Sequence, residues 1–179
     1  MLVGSPLKPG LRWESSDRRS RAHPPLSRRV ESRFSPATFR PRKLALRRDY
    51  EALTQLGERY LLSTVAGELA RVLYAQGRLD EAEKCSRHAQ ELADPDDIAS
   101  TTLWRTVQAK LLAQKGNRDA ALILIGEAVD LLRRTDSVVA QAETLVDLAE
   151  VLRLAGRRKE ADVLEARSSS SRRKGTLQP

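Results

Sequence analysis

The chain is short of most residue types that would carry chemistry or covalent bracing. It has one cysteine among 179 residues, two histidines, two Trp, three Tyr and two Phe. A single Cys85 excludes an internal disulfide framework and fits a reducing compartment. His23 and His88 have no partner at ligand or nucleophile–base spacing, so no metal, cofactor or catalytic residue is expected. There is no apolar run of about 18 residues, hence no expected membrane span. Arg18-Arg19 leads into Ser-Arg-Ala-His-Pro-Pro where a secretory signal would need an apolar stretch. No Gly-x-x-x-x-Gly-Lys-Ser/Thr loop exists to cradle a phosphate. Proline is absent between residues 42 and 178 except at Pro95, and β-branched runs are scarce while Leu, Ala, Glu and Arg abound, which points to helices.

What is present is positive charge, unevenly spread. The net is +8, yet residues 1–48 carry 13 Lys and Arg against Glu14, Asp17 and Glu31, whereas residues 49–167 carry 16 basic and 21 acidic side chains. The middle of the chain is therefore acidic. Residues 1–42 also hold Pro6, Pro9, Pro24, Pro25, Pro36 and Pro41 and show no helical period, so they are expected to be a disordered Arg/Pro/Ser-rich arm. The tail 169–179, with Arg172, Arg173 and Lys174, is expected to fray.

Between these ends the punctuation recurs. Gly77, Gly116 and Gly156 are separated by 39 and 40 residues. Ala70, Ala109 and Ala149 stand seven before them, Leu73, Leu112 and Leu152 four before, and Ala82, Ala121 and Ala161 five after. Ala89 and Ala128 follow at twelve, where the third repeat has Ser168. Each Gly supplies a left-handed turn between two helices, and the small residues let the two backbones close on each other. The expected helices are 44–56, 59–76, 79–93, 98–115, 118–134, 138–155 and 158–168, giving hairpins over about 59–96, 98–135 and 138–168 within a domain 43–168. Asp94-Pro95-Asp96-Asp97 and Thr135-Asp136-Ser137 offer acceptors for the free amides of the next helix.

This pattern resembles the tetratricopeptide repeat, with a period longer than that family's roughly 34 residues and Leu73, Leu112 and Leu152 where the family has Tyr. The resemblance implies an all-α, right-handed solenoid of about three and a half hairpins. It also implies a groove lined by the first helix of each hairpin: Arg71 and Tyr74, then Thr106, Lys110 and Gln114, then Glu143, Glu150 and Arg153, running from cationic to mixed charge. The Asn-and-Lys cluster with which some members clamp a peptide carboxylate is missing. The strings at 50–66, 73–83 and 147–157 resemble more specifically the C-terminal repeat region of bacterial regulators that join cyclase-like and ATPase domains to such repeats. That resemblance implies a cytoplasmic, bacterial signalling fragment whose first helix, 44–56, has lost its partner and exposes a stripe through Leu46, Tyr50, Leu53 and Leu56.

Other features have plainer readings. Cys85 lies three residues past Ala82 and reads as a small core residue, and His88 as part of a polar helix face. The dense carboxylates read as solvated faces and caps. The expected function is a non-catalytic protein-interaction or regulatory scaffold, with a protein or peptide partner in the groove and a homodimer through exposed solenoid ends. The alternative is nucleic-acid or polyanion binding by the basic arm, although Trp13, Phe34 and Phe39 form no spaced stacking set.

Overall fold

A computed structural model describes residues 36–175, with side chains over 42–166. Seven helices and no strand occur among the described residues: α1 (Pro36–Leu56), α2 (Arg59–Ala75), α3 (Leu79–Leu92), α4 (Ile98–Gln114), α5 (Arg118–Leu132), α6 (Val138–Leu154) and α7 (Arg158–Gly175). Most of the expected arm and the last four residues lie outside that range. Two boundaries differ from expectation by more than two residues: α1 begins at Pro36 rather than 44, and α7 reaches Gly175 rather than 168. Proline at a helix start forgoes an amide that would have had no intrahelical acceptor, so Pro36 opens α1 rather than blocking it.

The hairpin turns share one construction. At Gly77, with φ of +74°, the amide donates to Tyr74 O at 2.9 Å and the next amide, of Arg78, donates to Leu73 O at 3.0 Å. This paired closure satisfies carbonyls that the helix end would otherwise leave open. Gly116 and Gly156 repeat it, and so does Gly57 between α1 and α2. The longer connections use other devices. Asp97 caps α4 by accepting from Ser100 N at 3.1 Å, and Ala93 turns extended two residues before Pro95. Ser137 was expected to cap α6 but its side chain makes no such bond; its amide instead donates to Thr135 Oγ1 at 3.4 Å.

Packing follows the small residues. Ala70 and Ala82 share the first core cluster, Ala109 and Ala121 the second, and Ala149 and Ala161 the third, every one of them fully buried. Ala89 and Ala128 are equally buried; Leu73 and Leu152 are buried and Leu112 packs partly buried against the second cluster. The first helices touch one another directly, α2 on α4 and α4 on α6, while α3, α5 and α7 make no such contacts among themselves. The stack therefore closes up on the α2, α4 and α6 side. Gly67 lies in that seam, where a Cβ would come within 2.8 Å of Leu103 Cβ.

The apolar stripe of α1 is not left open. Tyr50 is 2% exposed and Leu46 and Leu53 pack against the first core cluster, so only Leu56, at 78%, stays in solvent. The expectation failed because α1 has its partners within the chain: Arg47 pairs with Glu81 at 2.9 Å and Tyr50 Oη lies 2.6 Å from His88 Nδ1. His88 accordingly sits half-buried with its ring edge-on to Tyr50, not on a polar face, and burial lowers its pKa from the ordinary value.

Candidate functional site

Residues three or four apart share a helix face, and three such faces converge between α2, α4 and α6. From α2 come Glu68, Arg71 and Tyr74; from α4, Thr106, Lys110 and Gln114; from α6, Glu143, Asp147 and Glu150. Lys110 is at the centre, only 6% exposed. Its Nζ lies 2.9 Å from Asp147 Oδ1, 3.7 Å from Glu150 Oε2 and 4.7 Å from the centre of the Tyr74 ring. Tyr74 Oη donates to Glu150 Oε1 at 2.8 Å and accepts from Gln114 Nε2 at 2.9 Å. Arg71 reaches Glu68 and Glu143, each at 3.4 Å, and the other oxygen of Glu68 takes Arg42 of α1 at 2.8 Å.

Burial sets a cost on each of these charges and the network offsets it. Desolvation alone would lower the Lys110 pKa, but Asp147 and Glu150 outweigh it and hold the ammonium above the usual lysine value. Arg71 likewise stays above its ordinary value, burial being overcome by Asp147, Glu68 and Glu143. Burial, and then the Glu150 carboxylate, raise the Tyr74 phenol. The expected cationic end of the groove is thus not cationic: α6 supplies the carboxylates that neutralise Arg71 and Lys110.

Beside this network lies a cavity of ≈ 390 Å³, walled by Glu68, Arg71, Thr102, Thr106, Glu143 and Asp147 among others. Thr106 is almost fully buried and spends its hydroxyl on Leu103 O at 2.9 Å. The Thr102 hydroxyl is buried with no hydrogen-bond partner. Arg153, expected with this group, faces α7 instead, pairing with Glu165 at 2.6 Å and Asp162 at 3.6 Å. Asp147 and Glu68 were absent from the expected set. The signal for Asp147 was its place four residues after Glu143 and three before Glu150, on one helical face.

The described residues include one cysteine and one histidine, Cys85 and His88. No group of three or more His, Cys, Asp or Glu side chains that could hold a metal occurs there. Cys85 is fully buried in the first core cluster, and burial pushes its thiol up to about 12. No helix among the described residues is long and apolar enough to cross a membrane.

A family model described as a tetratricopeptide repeat matches residues 63–91, the body of α2 with most of α3. No curated protein and no solved structure matches the chain. The matched hairpin, repeated twice more with the same turn and the same pair of buried alanines around it, makes the fold an all-α, tetratricopeptide-like repeat solenoid. Repeats of this kind generally mediate protein–protein interaction and are typically non-enzymatic.

Proposed function

We propose that the chain is a non-catalytic interaction module whose partner docks on the side lined by α2, α4 and α6. The observation that carries this reading is the cavity between those helices: it is open, walled by side chains from all three hairpins, and braced by ion pairs that fix its shape. A preformed concave site of this kind spares the ordering cost that a loose surface would incur on binding. The test is a pair of full-length variants. Ala99 is exposed on the cavity wall and Ile123 is 65% exposed on α5, outside it. Partners captured from the source cell by the wild-type chain should be lost with Ala99→Arg and kept with Ile123→Arg; the reverse pattern overturns the reading.

Leu56, Tyr60 and Leu61, all exposed around the α1–α2 turn, support self-association through that end of the stack, which sedimentation across a wide concentration range would test. The strings at 73–83 and 147–157 support a place in a cytoplasmic bacterial signalling regulator with cyclase-like and ATPase domains. Reading frames beside the gene that encode such domains would support that assignment, and their absence would count against it. Polyanion binding by residues 1–42 is the rival reading and should vanish with added salt.

A further inference from the structure

The ion-pair network beside the cavity, which shares Glu68, Arg71, Glu143 and Asp147 with its walls, is one cation short of balance. Four carboxylates, Glu68, Glu143, Asp147 and Glu150, face three cations, Arg42, Arg71 and Lys110. The acceptors are also unevenly used. Glu143 meets Arg71 through Oε2 alone, at 3.4 Å, and Asp147 meets Lys110 through Oδ1 alone. Glu143 Oε1 and Asp147 Oδ2 thus accept no hydrogen bond from the described residues, and they belong to side chains one helical turn apart on α6 that both line the cavity. Asp147 Oδ2 is not among the buried unpartnered atoms, so it remains open to solvent and to a ligand.

We infer that the cavity binds an arginine side chain carried by an extended segment of a partner protein. This rests on the interaction-module reading above and specifies its chemistry. A guanidinium presents several N–H donors in a planar fork, which suits two carboxylate oxygens on adjacent turns; an ammonium would serve them only as a point charge. Its charge restores the balance of the network. The neighbouring apolar wall from Leu103, Leu132 and Ala140 accommodates the methylene stem, as long basic side chains require. The opposite ligand, an acidic or carboxylate-terminated peptide, would set negative charge against Glu143 and Asp147 in a site where Lys110 and Arg71 are already engaged.

The probe is a fluorescein-labelled decapeptide of Gly, Ser and Ala with two arginines, titrated against the full-length chain by anisotropy. The matched controls carry two citrullines, which keep the shape and lose the charge, or two glutamates. The arginine peptide should bind at least tenfold more tightly than the citrulline peptide, and Glu143→Gln should weaken it roughly five- to tenfold. Glu143 is half-exposed, so its variant should fold, which circular dichroism verifies. Equal binding of arginine and citrulline peptides, tighter binding of the glutamate peptide, or no arginine binding at millimolar concentration overturns the cationic assignment. In each of these cases loss of native partners in Ala99→Arg would still uphold the module reading, whereas retention would overturn both. Tenfold tighter binding by a full-length variant in which the eight Lys and Arg of residues 1–35 are Gln would make the chain's own arm the occupant and overturn the assignment to a partner.

Discussion

Replacing Lys110 by Met should be the most damaging single change on the α2, α4 and α6 side. The Lys110 side chain is 7% exposed, and its partners Asp147 and Glu150 are 15% and 17% exposed. Removing one member of a buried pair costs about 3–5 kcal/mol because the remaining charge is left uncompensated. Asp147 and Glu150 keep some contact with water, so the low end applies, about 3 kcal/mol, or a fall of about 6–12 °C in Tm for a chain of this size. Adding Asp147→Leu should recover about 1–2 kcal/mol, since the orphaned carboxylate goes with it and Glu150 keeps its bond from Tyr74. Thermal and urea unfolding of the two variants, with Asp147→Leu alone to complete the cycle, gives the coupling energy directly. The pH dependence supplies a second check. The Lys110 pKa is raised in the folded chain above 10.5, so its stabilisation is fully present below that pH and is lost as pH rises through the folded value. The wild type should therefore converge on Lys110→Met only in strongly alkaline solution. A Lys110→Met protein within about 1 °C of wild type at pH 7, or strictly additive effects in the cycle, would refute the argument that burial makes this pair structural.

Gly67→Ala should cost about 1–2 kcal/mol net, because a Cβ 2.8 Å from Leu103 Cβ forces α2 and α4 apart by more than the gain in helix propensity offsets. Gly126→Ala, with no atom within 4 Å, should instead stabilise α5 by about 0.5–1 kcal/mol, and differential scanning calorimetry of the two separates the effects. His88 has its pKa lowered by burial, so the unfolded chain takes up protons first as pH falls below about 6.5. Stability should decline from there until the folded value is passed, and His88→Gln should flatten that decline in urea melts between pH 5 and 7. Cys85, buried and with its thiol pushed up to about 12, should react with iodoacetamide at pH 8 roughly 100-fold more slowly in the native than in the unfolded chain.

The hairpins were legible because their rules are local. A Gly that must adopt φ of +74°, an Ala seven before it and an Ala five after it are tied by the backbone geometry of one turn. The partners across the groove were not, since Lys110 meets Asp147 at a separation of 37 residues, through the rotation of one hairpin on the next. Arg71 and Lys110 were expected from the family pattern as the cationic end of a groove, but their neutralisation by α6 was not foreseen. For α1 the error was of a different kind. The apolar stripe was correctly located, but its company was misjudged because the bond of Tyr50 to His88 spans 38 residues.

The bridges from α2 to α6, Arg71 with Glu143 and Tyr74 with Glu150, pass over the hairpin between them. Solenoids usually depend on contacts between adjacent units alone, which is why their units can be duplicated, deleted or exchanged. Here the first and third hairpins hold each other through specific side-chain bonds, so a repeat inserted between the second and third would pull Glu150 from Tyr74 and Asp147 from Lys110, leaving a buried phenol and a buried ammonium without their carboxylates. The architecture is repetitive, but these bridges tie its ends together, so the three described hairpins should unfold as one cooperative unit and not as independent repeats.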